Sequence, residues 1–212
     1  VCDEVMCGLG RHGQDPRGAT GCFLTECWDL RPDVITFGKS VGGGAGHLLS
    51  GAILLKGASA LAAASRTAYQ SHTYAGSSVR ALCNAASLLD RLESLRADVR
   101  RVEAAVKPAL DALREESGGR VLTQGQGALW GGLFAHSSLA ERSAANVALK
   151  EKCAAAGVLP YFVPVGGFML TPRYDDDPEQ LRAAVGDLAQ CCLEVVDEMK
   201  WSDEDLLPRV RA

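Results

Sequence analysis

Lys39 is the first residue whose type and setting suggest chemistry. It follows the short β-branched run Val34-Ile-Thr-Phe37 and Gly38, and it precedes the flexible triplet Gly42-Gly43-Gly44. A lysine just past a buried strand and beside Phe37 is desolvated, which favours the neutral amine that acts as a nucleophile and forms a Schiff base. Asp3 closes another short apolar segment at the start of the chain. A carboxylate there can sit under a heteroaromatic ring and keep its nitrogen protonated. Taken singly, Lys39 is an ordinary loop lysine and Asp3 an ordinary cap or surface acid. The pair is what needs explaining.

Two glycine motifs offer other readings. Gly8-Leu-Gly10-Arg-His-Gly13 matches the dinucleotide-binding pattern, which works only where a helix begins and its N-terminus holds a pyrophosphate. The residues that follow, Gln14-Asp-Pro16-Arg-Gly18-Ala-Thr-Gly21, do not start a stable helix. Gly38-Lys39-Ser40 resembles the end of a phosphate-binding P-loop. The required upstream glycine is replaced by Asp33, and the glycines follow the lysine instead of preceding it. The remaining reading joins Asp3 to Lys39. A lysine amine plus an acid for the ring nitrogen is what pyridoxal phosphate (PLP) needs to act as an electron sink.

The elements around these residues read as an α/β piece, a helical connector and an α+β piece. Residues 34–37 and 50–55 are short apolar runs without alternation, the pattern of strands buried on both faces. Residues 58–65 read as a short helix and 66–78 as a loop. From Val79 apolar side chains recur at Leu82, Ala85, Ala86, Leu89 and Leu92. A second helical stretch covers 97–116, with Pro108 expected to kink or split it and Ser117-Gly118-Gly119 ending it. Strand-like runs follow at 120–123, 128–135, 158–163 and 168–171, with a helix at 139–155. The last helix spans 178–199, with Asp177 as its N-cap and Pro178 at its first position.

Composition bounds the function. The 212 residues are 47% hydrophobic and 23% charged, with a net charge of -4. No basic patch suggests nucleic acid, and no apolar run approaches a membrane span. Nothing at the start resembles a secretory signal, so a cytoplasmic or organelle-matrix location is expected. Eight cysteines are too scattered for a disulfide scaffold. Cys83, Cys153, Cys191 and Cys192 fall on helical patterns and read as small buried hydrophobes. A four-thiolate zinc site from Cys2, Cys7, Cys22 and Cys27 is the weaker alternative, and no metal is expected. His47 and His72 read as surface or packing residues, and Arg11 as an entrance or solvated charge.

Three collinear segments resemble the class III (subgroup II, ω-type) aminotransferases of PLP fold type I. Asp3-Glu-Val-Met-Cys-Gly-Leu-Gly-Arg-His-Gly13 is similar to the family's Asp-Glu-Val, Gly-aromatic-Gly-Arg, Thr-Gly signature. Pro32-Asp-Val-Ile-Thr-Phe-Gly-Lys-Ser-Val-Gly-Gly-Gly44 is similar to its Gly-Lys signature, and Ser71-His-Thr-Tyr-Ala-Gly76 to its His-x-Thr-aromatic-x-Gly stretch. The resemblance implies an α/β fold: a portion of the large, mainly parallel-sheet domain over 1–78, a helical connector over 79–117, and a small C-terminal α+β domain over 118–212. It implies a PLP-dependent transaminase that moves an amino group from an amine or amino acid to a keto acid or aldehyde through a Schiff base on Lys39. By position, Asp3 pairs with the pyridine nitrogen, Val5 packs on the ring's back face, and Lys39 carries the cofactor and shuttles a proton. Thr73 binds the cofactor phosphate, usually that of the partner subunit, so a homodimer with shared sites is implied.

The sequence also departs from that pattern. Leu9 replaces an aromatic and His12 a Thr. Met169 stands where many relatives carry an Arg for the substrate α-carboxylate, and an apolar Met cannot make that bidentate contact. Arg173 is nearby but offset. An amine or ω-amino acid is therefore the expected substrate. The family's N-terminal portion, with its phosphate-binding turn and much of its sheet, has no counterpart ahead of Asp3. The alternatives are an aminomutase of the same fold and an inactive remnant that acts only through its interface.

Overall fold

The structure, a computed structural model, describes residues 1–13, 21–42, 51–54 and 79–208. The readings at 14–20, 43–50 and 55–78, including the segment with Thr73, lie outside the described residues. The chain divides into two compact units, Val1–Val99 and Arg100–Ala212.

The first unit carries a mixed sheet of β1 (Cys2–Asp3), β2 (Val34–Phe37) and β3 (Gly51–Leu54), in that order. β1 runs parallel to β2, with Asp3 opposite Thr36, and β3 pairs antiparallel to β2. The ladder continues past β1, because the Glu4 N–H donates to the Thr36 carbonyl at 2.9 Å. Leu9, Phe23, Ile35 and Val41 form the buried cluster. Burial on both faces, expected for these strands, is not what the described residues show. Ile35 is buried, but Ala52 and Ile53 of β3 are exposed. Among the described residues β3 ends the row of three strands, with β2 as its neighbour.

α1 (Leu24–Cys27) is a single turn. α2 (Val79–Glu116) is continuous over 38 residues with Pro108 inside it, so the expected split does not occur. Proline removes one N–H and crowds the preceding turn. Here Val102, Ala105, Val106, Leu110 and Leu113 are all buried on both sides of it. Tertiary packing of that stripe outweighs a local cost of about 3 kcal/mol. Within the first unit the buried face of α2 also differs from expectation. Ala81, Leu92 and Leu95 are buried and Ala85 and Leu88 are packed on the cluster, while Leu82 and Leu89 are exposed. Two apolar rows lie side by side in the sequence, and contacts selected one of them.

The second unit holds an antiparallel sheet in the order β4-β5-β7-β6, from β4 (Val121–Gln126), β5 (Leu129–Phe134), β6 (Tyr161–Val163) and β7 (Gly167–Leu170). Helices α3 (Leu139–Ala156) and α4 (Pro178–Met199) pack on one another. Their ends match sequence signals. Ser138 accepts from the Glu141 N–H at 3.4 Å, and Gly157 closes α3 with a left-handed φ of 74°. Asp177 accepts from the Glu179 and Gln180 N–H groups at 3.0 and 2.9 Å, satisfying donors that have no intrahelical partner. Leu149, Cys153, Leu188, Cys192 and Val195 are fully buried. Cys191 is buried too, but Cys83 is exposed, contrary to its reading as a core residue. It lies two residues past Ala81, on the other side of the helix from the buried row.

Candidate active site

Asp3 ends β1, and Lys39 follows β2 by two residues. Because the two strands are adjacent and parallel, both side chains belong to the same C-terminal edge. Ligands of open α/β sheets bind outside that edge. The carboxylate of Asp3 is exposed and fixed from one side. Its Oδ1 accepts from the Val5 N–H at 2.9 Å and from the Thr36 hydroxyl at 3.3 Å. Both bonds fall on Oδ1, and Oδ2 takes part in neither. Val5, half-buried, thus sits in the turn that orients Asp3.

Lys39 opens a short 3-10 turn, Lys39–Gly42, with φ at 48°. A left-handed backbone is costly for a side chain with a Cβ and persists only where its surroundings impose it. The amine is exposed. Desolvation by Phe37 is therefore not observed, and the geometry says why. The Phe37 ring packs against Phe23, with centroids 6.0 Å apart, and joins the buried cluster instead of covering Lys39.

Glu4 is a residue that sequence reasoning missed. It is buried between Asp3 and Val5. Its Oε2 accepts from the Leu24 N–H at 2.7 Å and its Oε1 from the Thr25 N–H at 2.8 Å. It therefore caps α1 from twenty positions away, where the local N-cap residue, Phe23, has no side chain able to do so. The one available signal was alternation: if Asp3 faces the sheet edge, its neighbour faces inward. Glu26 has a similar role nearby, accepting from the Gly21 and Cys22 N–H groups at 2.8 and 3.1 Å. Cys7 points its thiol at Glu4, 3.8 Å from Oε2. Burial, then the Glu4 carboxylate, push its pKa up to about 11, so it stays a thiol at neutral pH. His12 is buried, with Nδ1 3.7 Å from the Cys27 sulfur, and burial lowers its pKa.

The Gly8–Gly13 turn does not serve as a dinucleotide loop. Its backbone is left-handed at Leu9, Gly10 and Gly13, and no helix begins within it. Gly8 is required for another reason: a Cβ there would lie 2.8 Å from the Glu4 carbonyl oxygen. Among the described residues, no group of three or more His, Cys, Asp or Glu is arranged to hold a metal ion. Met169 sits half-buried in β7 opposite Gly131 and Tyr161. Arg173 is engaged by Asp175, with Nη2 to Oδ2 at 2.6 Å, and this pairing raises its pKa. No described helix is long and apolar enough to cross a membrane.

The family model for class-III aminotransferases matches residues 1–191. No curated protein sequence matches the chain. Solved structures do. A transaminase from directed evolution by ancestral reconstruction superposes with a TM-score of 0.71 at 23% identity, covering 92% of this chain and 44% of that one. Plasmodium falciparum ornithine delta-aminotransferase gives 0.66 at 26% identity, over 92% and 47%. An omega-transferase from Vibrio fluvialis JS17 gives 0.68 at 20% identity, over 94% and 47%. The chain spans less than half the length of each of these structures. Its architecture is α/β and belongs to PLP-dependent transferase fold type I, with one mixed and one antiparallel sheet. On the family match over most of its length, the chain belongs to the class-III aminotransferases.

Proposed function

We propose that this chain carries the lysine and the ring-nitrogen partner of a PLP-dependent transaminase. The observation that carries the reading is the shared edge: Asp3 and Lys39 leave adjacent parallel strands at the same end, and both side chains are exposed there. The residues present fit the cofactor on which class-III aminotransferases depend. When bound, PLP supplies an aldehyde that takes up primary amines and a ring that accommodates negative charge from the substrate carbon. Lys39 supplies the amine that holds it and, once displaced by an incoming amine, the base that moves a proton from the substrate Cα. The Val5 and Thr36 bonds to Oδ1 of Asp3 keep the carboxylate aimed, with Oδ2 left for a ring nitrogen. Val5 is the proposed contact on the ring's back face, and Thr73 the proposed phosphate ligand of a partner subunit in a homodimer. Exposed Val79, Leu82 and Leu89 on α2 support a surface that another chain segment or subunit covers.

The proposed substrates are an amine or ω-amino acid as donor and a keto acid or aldehyde as acceptor. Two features support this: Met169 offers no charge for an α-carboxylate, and Arg173 is already paired with Asp175. The test is the purified chain mixed with PLP, reduced with borohydride and mapped by mass spectrometry. A pyridoxyl label on Lys39 that disappears in Lys39→Ala is the expected result. A Lys39→Ala variant that still transaminates overturns the reading. Wild-type chain that takes no label favours the remnant that acts through its interface.

A further inference from the structure

We propose that Glu4 is the positioning residue of this site, holding Asp3 and Val5 in register with the cofactor ring; the inference rests on the transaminase reading above. Every polar group of Glu4 is engaged. Its N–H donates to the Thr36 carbonyl at 2.9 Å, tying the chain to β2 one residue past Asp3. Its carbonyl accepts from the Gly8 N–H at 2.9 Å, closing the turn that contains Val5. Its two carboxylate oxygens take the Leu24 and Thr25 N–H groups, one each. The Cys7 thiol adds a weak contact to Oε2. Four anchors thus converge on the residue between the two that the site aims at the ring. A buried carboxylate of this kind keeps its place only while its donors are present, since an unpaired buried charge is expensive. Gln in its place keeps the volume but presents an amide N–H₂ to one of the two backbone donors, so one anchor becomes a repulsion.

Glu4 makes no contact with the ring in this scheme. It acts through Asp3, and that predicts coupling. Glu4→Gln is expected to load Lys39 with PLP but to raise the PLP dissociation constant about tenfold, the scale of a small misplacement of a catalytic group. The pH midpoint of the bound cofactor's visible absorbance moves to the acid side, because a loosened Asp3 protects the protonated ring nitrogen less well. Asp3→Asn shows the same two changes, larger. The double variant Asp3→Asn/Glu4→Gln is no weaker than Asp3→Asn alone, the non-additivity expected of residues acting as a unit.

Circular dichroism checks that each variant folds. If Glu4→Gln does not, Leu24→Pro replaces it in the cycle. Proline is tolerated at the first position of a helix and deletes one N–H donor to Glu4 without changing a charge. Additive effects in the double variant, or a Glu4→Gln variant with wild-type affinity and pH midpoint, overturn the positioning role while leaving the transaminase reading intact. Wild-type chain that never labels at Lys39 overturns both.

Discussion

The two units of this chain are built to different standards. The second closes on itself. Its four strands are ordered in one antiparallel sheet, its helices α3 and α4 carry side-chain caps at their N-termini, and its core contains fully buried Leu149, Leu188 and Val195. Among its described residues, the first unit has strands of two, four and four residues and a buried cluster of four apolar side chains. Yet the first unit holds Asp3 and Lys39. In the first unit Glu4 and Glu26 each take two backbone N–H groups, as Asp177 does in the second, but Glu4 reaches donors some twenty positions away. The comparison teaches that the residues proposed for chemistry lie beside a small described core, where buried carboxylates tie backbone segments together.

The largest effect that sharpens this contrast is in the second unit. Leu188→Ala removes a fully buried side chain and is expected to cost about 2–5 kcal/mol in chemical denaturation of that unit. PLP labelling at Lys39 is expected to persist under conditions where the variant remains folded. Labelling lost with the second unit still folded would break the separation.

The next effect is in the first unit. Gly8→Ala sets a Cβ against the Glu4 carbonyl and is expected to cost about 1–3 kcal/mol. Hydrogen exchange should show faster opening at Leu24 and Thr25, whose N–H groups Glu4 holds. Unchanged exchange there would mean that the turn and the cap are independent.

Asp177→Ala removes the cap of α4 and is expected to cost about 1 kcal/mol by thermal unfolding. Protection in the first unit should not change.

The smallest effect concerns pH. Burial lowers the pKa of His12 from 6.5; the Glu4 and Glu26 carboxylates oppose this and Arg96 reinforces it. As pH falls through 6.5 the unfolded chain takes up this proton before the folded chain does. Stability of the first unit is therefore present above that value and is lost as pH falls toward the lower folded one. His12→Gln should flatten that region of the profile, read by exchange at Cys27 and its neighbours. An unchanged profile would show that His12 does not set it.

Several elements were legible because their signals are local. Asp177-Pro178 at one end of α4 and Gly157 at the end of α3 write helix boundaries directly into the chain, and the structure follows them. β2 is a β-branched run stopped by Gly38, and it forms as read. Other features depended on competition between distant groups. Pro108 argues for a break, but the buried stripe around it carries α2 straight past. Leu82 and Leu89 are as apolar as Leu88 and Leu92, so sequence cannot say which row faces inward. Phe37 could have shielded Lys39 and instead joined Phe23. Glu4 looked like a spacer in a motif, because the donors it satisfies lie some twenty positions away.

The sequence by itself determined the family and the order of the second unit's strands and helices, and it named the two residues proposed for chemistry, since residue types and spacings within single motifs carry that information. The tertiary structure alone decided that Asp3 and Lys39 share one sheet edge, which face of α2 is buried and which backbone N–H groups Glu4 holds. Those outcomes depend on hydrogen bonds and contacts between segments far apart in the chain, whose free energies exist only once the fold brings the groups together.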